Sequence, residues 1–301
     1  MSSITLKETP TKLKEMQEHY RPYLIEKKIP YSLFFAKKDG VTITAYQSGK
    51  VLFQGDHPET EADIWQKEQS VMQEPPSGLP ADFSQKSIIG SDEVGNGSYF
   101  GPLVVCAVYA DKNNLKSLQK LGVKDSKLLK DSQIKLIAKK IETMVPYQLL
   151  TVRPAKYNQV QPTYNAVRMK VALHNQAIQL LLKKIAPTKP EAILIDQFTK
   201  EANYRKYLAK EAVPITESLY FITKGEQHHL AVAAASIISR AKFLDELEIA
   251  SQELGMRIPS GAGFQSDQVA AKILKKGGLP LLSQYAKLHF KNTQKAQNLI
   301  K

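Results

Sequence analysis

The chain has one cysteine, Cys106, in 301 residues, which excludes an intramolecular disulfide. Cys106 lies within Leu103-Val104-Val105-Cys106-Ala107-Val108, where a thiol reads as core filler. No run of about 18 apolar residues occurs, so no membrane-spanning helix is expected. The first residues, Met1 to Glu8, lack the apolar core of a secretory signal. There is no internal repeat and no Walker-type phosphate loop. No Cys/His cluster has zinc spacing. A cytoplasmic, membrane-free protein fits these absences. No obligate protein partner is evident, and a monomer is expected.

Hydrophobic residues make up 43% and charged residues 24%, the composition of an ordinary globular chain. The net charge is +13. It is unevenly spread. Residues 1–75 hold 10 Lys+Arg against 11 Asp+Glu, and residues 76–301 hold the other 32 against 18, a balance of +14. The second part of the chain therefore suits a polyanionic partner, nucleic acid first.

The length predicts two domains. Residues 9–26 read as a helix, with Thr9 as cap and Pro10 at its first position. Tyr31–Ala36, Val41–Tyr46 and Lys50–Gln54 read as a three-stranded meander, joined at Asp39-Gly40 and Ser48-Gly49. Residues 60–72, with Trp65, read as a second helix. Three prolines and a glycine in 74–87 have linker composition. The expected division is a module at 1–73, a linker at 74–87 and a larger domain at 88–301. Within the last, helices are expected over Ser132–Met144 and 164–185, strands over Tyr147–Val152, Ala192–Ile195 and Pro214–Tyr220, and further helices at the C-terminal end.

Residues 88–110 carry the most chemistry. Two apolar runs flank the glycine-rich turn Gly95-Asn96-Gly97-Ser98-Tyr99-Phe100-Gly101, so both runs read as strands. The glycines are followed by a strand rather than a helix, which excludes a dinucleotide-binding fingerprint. Asp92 and Glu93 sit where the first run ends. On a continuing strand they would face opposite ways; past its end they could turn into a cleft and hold a cation. A hairpin with surface acids remains the alternative. Asp196 ends the apolar run Ala192–Ile195 in the same manner, as a cation ligand or as a cap for the segment after it. Glu226 is expected at the start of a helix through Ala231-Val232-Ala233-Ala234-Ala235, on which Ser236 and Arg240 share a face. His228 and His229 are neighbours facing different ways, which suits packing or substrate contact better than a metal pair.

Asp92-Glu93-Val94-Gly95-Asn96-Gly97 with Phe100-Gly101-Pro102 resembles the first motif of the type 2 ribonuclease H group, most of all its ribonuclease HIII branch. Val123-Lys124-Asp125-Ser126-Lys127 resembles the group's second motif. Glu226 stands where the ribonuclease HII branch has aspartate and the HIII branch glutamate. The resemblance covers roughly residues 84–295. It implies an α/β domain with a ribonuclease H-like mixed sheet, preceded by a small α+β module similar to a TATA-binding protein repeat that helps grip substrate. Lys37, Lys38, Tyr46 and Lys50 are the candidate contacts of that module.

The same resemblance implies an endoribonuclease that cuts the RNA strand of RNA/DNA hybrids, leaving 3′-hydroxyl and 5′-phosphate. Asp92, Glu93, Asp196 and Glu226 would hold Mg²⁺, with Mn²⁺ as a substitute. Hard oxygen ligands suit such cations, and paired metals suit phosphodiester hydrolysis. Gly95, Asn96 and Gly97 would read RNA 2′-hydroxyls, with Ser126, Lys127, Ser236 and Arg240 as further substrate contacts. A DNA-cutting nuclease of the same fold, such as a junction resolvase, and a non-catalytic hybrid-binding protein are the alternatives.

Overall fold

A computed structural model describes residues 2–26, 29–67, 78–123 and 129–300. The chain divides into two compact units, Met1–Ser77 and Gly78–Lys301.

The first unit contains β1 (Ser2–Lys7), α1 (Pro10–His19), β2 (Ser32–Lys38), β3 (Val41–Tyr46), β4 (Lys50–Gly55) and α2 (Pro58–Lys67). Its sheet is antiparallel in the order β1-β4-β3-β2. Four strands replace the expected three, because Ser2–Lys7 is a mostly polar edge strand with little apolar signal. Thr9 caps α1 through its hydroxyl, as expected. The helix stops at His19 instead of running to 26, since Pro22 cannot continue it and a 3-10 turn follows. Alternate residues Phe34, Ala36, Ile43, Ala45, Val51 and Phe53 face the core with Leu13, Met16 and Trp65. Lys38 is drawn inward to Glu61 at 2.7 Å, and Glu61 also accepts from the Tyr20 hydroxyl at 2.9 Å. Lys38 thus completes a buried network rather than a solvent-facing contact.

The second unit contains β5 (Ile88–Val94), β6 (Leu103–Ala110), α3 (Lys112–Lys120), α4 (Asp131–Met144), β7 (Tyr147–Val152), α5 (Pro154–Val160), α6 (Ala166–Ile185), β8 (Ala192–Asp196), α7 (Glu201–Leu208), β9 (Leu219–Ile222), α8 (Leu230–Leu254), α9 (Phe264–Tyr285) and α10 (Lys291–Asn298). Its sheet is mixed, in the order β7-β6-β5-β8-β9. β7, β6 and β5 pair antiparallel; β5, β8 and β9 pair parallel. This is the expected α/β class. Residues 78–87, read as linker, lie on this unit. Phe83 is buried in its core, and Ser87 N–H donates to Glu191. The last strand falls at Leu219–Ile222 rather than Pro214–Tyr220. The expected 164–185 helix is α6, Ala166–Ile185, and the structure adds α3 and the short α5 before it.

β5 is sandwiched between helices, and its alternation decides which helix each residue meets. Gly90 lies against α8: a Cβ there would sit 2.3 Å from Val232 N and 2.8 Å from Ala231 Cβ. The small residues Ala231 to Ala235 let the helix come this close. Ile89 belongs instead to the cluster with Val171, Ile178 and Leu181 of α6. Even-numbered residues of β5 therefore face α8, and odd-numbered residues face α6.

Candidate active site

Asp92 and Glu93 inherit that division. β5 continues to Val94, with Asp92 opposite Cys106 and Glu93 opposite Val105 on β6, so the pair points to opposite faces. Asp92 is buried on the α8 side, where Ser236 hydrogen-bonds it. Glu93 turns toward α6. Lys170 Nζ lies 2.8 Å from its Oε1 and His174 Nε2 3.1 Å from its Oε2. His174 Nδ1 lies 2.7 Å from Ser91 Oγ, so a neighbouring odd-numbered residue of the same strand fixes the ring.

Asp196 ends β8, the parallel neighbour of β5. Its Oδ1 accepts the Gly225 N–H at 2.9 Å. That bond ties β8 to the 3-10 turn Gly225–Gln227, which carries Glu226. Glu226 thus precedes the long helix instead of starting it, because His229 is the N-cap of α8. The His229 Nδ1 accepts from Ala231 N–H at 3.0 Å, and Nε2 lies 3.1 Å from the Lys86 carbonyl oxygen. Burial lowers its pKa to about 4. His229 is a packing and capping residue; His228 lines a neighbouring cavity.

Asp92, Glu93, Asp196 and Glu226 line one cavity of about 390 Å³ with Gly95, Asn96, Gly97, Ser236, Arg240 and Asp131. Burial, followed by the charges of Glu93 and Asp196, holds the Asp92 carboxyl well above the usual range. Burial also pushes Glu93 up, but His174 and the Lys170 ammonium outweigh it and the net shift is downward. Arg240 lies 3.2 Å from Asp131 across the cavity. Ser126 and Lys127 lie outside the described residues.

The glycine turn beside the acids is anchored from behind. Lys287 is fully buried and donates to the carbonyls of Ser98 at 2.8 Å and Gly101 at 2.5 Å. Burial lowers its pKa to about 7. Gly95 has φ +97, and a Cβ would meet the Pro102 carbonyl oxygen at 2.1 Å, so the fold itself demands glycine. At Gly97 a Cβ would meet nothing within 4 Å. Asn96 and Gly97 are both exposed.

A family model described as Ribonuclease HII matches residues 89–293, and one described as a domain of unknown function matches residues 3–76. A ribonuclease HIII of Enterococcus faecalis is 61% identical over 292 residues, 96% of each chain. One from Listeria monocytogenes is 47% identical over 306 residues, covering 100% of this chain and 99% of its own. The chain belongs to the ribonuclease HII family, in its ribonuclease HIII branch. The structure of Bst-RNase HIII in complex with Mn²⁺ matches with a TM-score of 0.71 at 41% identity, covering 100% of this chain and 99% of that one. The ribonuclease H2 of Pyrococcus horikoshii shares the fold, with a TM-score of 0.59 at 22% identity over 71% of this chain and 98% of its own.

The donor set suits the divalent metal on which this ribonuclease family depends. All four candidate ligands are carboxylates, the hard oxygen donors that Mg²⁺ and Mn²⁺ take. Like charges crowded at Asp92 favour a cation among them. Among the described residues, no three Asp, Glu, His or Cys side chains are already drawn around one ion position. The placement of Glu93 against α6 accords with that open arrangement. Lys170 and His174 were not anticipated from the sequence. They lie inside the apolar stripe of α6, four residues apart, and two polar side chains at that spacing within a buried stripe were the available signal.

Proposed function

We propose that the protein is a metal-dependent endoribonuclease that hydrolyses the RNA strand of RNA/DNA hybrids, leaving 3′-hydroxyl and 5′-phosphate ends. The observation that carries this reading is the shared cavity of Asp92, Asp196 and Glu226 beside an exposed glycine turn. Asp92, Asp196, Glu226 and Glu93 would hold two metal ions, Mg²⁺ or, as in the Bst relative, Mn²⁺. Bound metals of this kind supply Lewis acidity to the phosphate and lower the pKa of a water nucleophile.

The protein's own groups do the positioning. Ser236 holds the Asp92 carboxylate on the α8 side, and the Gly225 N–H holds Asp196. Backbone at Gly95–Gly97 would approach the 2′-hydroxyl that separates RNA from DNA. The open space at Gly97 supports this, because nothing inside the fold explains the missing side chain there. Arg240, at the cavity wall, would meet a backbone phosphate.

The first unit would add grip. By strand alternation Lys37, Tyr46 and Lys50 share the face opposite its core, whereas Lys38 is committed to Glu61. The reading further takes the enzyme to be a cytoplasmic monomer; its single thiol leaves no intramolecular disulfide to form.

Asp196→Asn tests the site. It keeps the shape and removes a charged ligand. Cleavage of a uniform hybrid should fall by at least about a thousandfold, the scale of losing a catalytic group, while hybrid binding stays measurable. Turnover near wild type at saturating Mg²⁺ would refute the metal role. Cleavage of plain DNA duplex by the wild type would favour a DNA-directed nuclease.

A further inference from the structure

Glu93 has cationic company supplied by the fold. Lys170 is only 4% exposed and His174 is fully buried. An ammonium is rarely buried so deeply unless paired. Its place is fixed on two sides. Nζ sits 2.8 Å from Glu93 Oε1 and 3.9 Å from the centroid of the Phe198 ring. Phe198 in turn stacks on His174, with centroids 5.2 Å apart and planes at 23°. Phe198 lies two residues after Asp196, so the segment that presents one acid of the cavity also seats the cation beside another.

Stability alone gives little reason for such a pair. Replacing a buried ion pair with apolar residues is often neutral or stabilising. Glu93, moreover, is not sealed away. Its side chain keeps 10% exposure and lines the acid cavity. The carboxylate therefore stands between two places: a fixed ammonium on the α6 side, and the cavity on the other.

We propose that Lys170, aided by His174, is a built-in counter-ion that draws Glu93 toward α6 and competes with divalent metal for its carboxylate, so that this pair sets the metal affinity of the active site. The inference rests on the proposed metal role of the four acids. Lys170 and His174 are positioning residues, since both act through Glu93. Before metal binds, the ammonium offsets one negative charge of the cluster and keeps Glu93 in a defined rotamer. When metal binds, Glu93 is shared or released. Removing Lys170 removes the competitor and raises the negative charge of the cavity, but leaves Glu93 without its holder. Metal affinity and turnover should then move in opposite directions, which loss of structure alone would not produce.

The test titrates MnCl₂ into the full chain by calorimetry, with free Mn²⁺ read independently by electron paramagnetic resonance. Wild type, Lys170→Met, Glu93→Gln and the double variant form a cycle. Lys170→Met should bind Mn²⁺ about tenfold more tightly, within the range typical of coupled sites, with kcat lowered and KM for hybrid little changed. In the Glu93→Gln background the same substitution should alter Mn²⁺ affinity by less than about twofold, because little coupling remains. Lys170→Arg, which keeps the charge, should stay near wild type. If Lys170→Met does not fold by circular dichroism, Lys170→Gln, still a donor to the carboxylate but neutral, is read by the same criterion. Unchanged or weaker Mn²⁺ binding, or an equal shift in both backgrounds, overturns the proposal. Failure of the wild type to bind Mn²⁺ would instead overturn the metal reading beneath it.

Discussion

At the scale of single residues, two glycines just past the acids make opposite demands. Gly95 is required by the fold: positive φ and the Pro102 carbonyl leave no room for a Cβ. Gly97 is not. Gly95→Ala should therefore cost stability, on the order of 1–3 kcal/mol for backbone strain, visible as a lowered denaturation midpoint. Gly97→Ala should leave stability within about 0.5 kcal/mol of wild type, as for an exposed site, yet raise KM for hybrid. A KM that does not move in Gly97→Ala would remove the case for backbone approach at this turn. Although it lies within β5 rather than at its end, Asp92 was readable from the sequence as a candidate ligand. The opposite orientation of Glu93 was conditional there, and it was settled by the continuation of β5 to Val94.

At the scale of elements, α8 backs the site with Ser236 and Arg240, and its N-cap gives it a pH response. His229 is neutral in the fold, with its pKa lowered to about 4 by burial. The unfolded chain takes up a proton near pH 6.5, and the native state resists until about pH 4. Stability from this group is thus complete above pH 6.5 and is lost as pH falls toward 4. The loss should total about 3 kcal/mol, since each pH step of one between those limits costs about 1.4 kcal/mol. His229→Asn keeps a capping oxygen and should flatten the slope of stability between pH 6.5 and 4, measured by urea denaturation at stepped pH. An unaltered slope would show that His229 does not carry it.

The elements also show what a sequence can reveal. β6 and β8 were legible because each is an apolar run with clear ends. β9 was displaced because Pro214-Ile215-Thr216 has strand composition but the pairing with β8 begins only at Leu219. β1 was invisible because its apolar residues are only Ile4 and Leu6. Lys170 and His174 were hidden because helical periodicity follows the apolar positions and passes over a buried cation among them. What they do depends on a strand some 80 residues earlier, which only the folded chain brings near.

At the scale of the whole molecule, charge and core are divided alike. The excess of basic residues belongs to residues 76–301, and each unit has its own buried cluster. A chain beginning at Gly78 should therefore fold, whereas one beginning at Ile88 should not fold well, since it loses buried Phe83 and the Ser87–Glu191 bond. Loss of a buried aromatic costs about 3–5 kcal/mol. The Gly78 form should keep kcat at saturating hybrid and show a raised KM. Equal hybrid affinity with and without residues 1–77 would deny the first unit its gripping role.

The proposed role of the acid cavity and the adjacent glycine turn is to cut RNA by recognising ribose in a hybrid. The most direct measurement is the initial cleavage rate on matched duplexes carrying one, two, four or many ribonucleotides in one strand, with plain DNA as reference, in Mg²⁺ and in Mn²⁺. Each lost 2′-hydroxyl contact should cost about 1–3 kcal/mol, while phosphate contacts, blind to the sugar, sustain binding. Rates should rise by orders of magnitude from one ribonucleotide to many, with no cleavage of DNA. Equal rates on one and many ribonucleotides, or cleavage of the all-DNA duplex, would contradict that role.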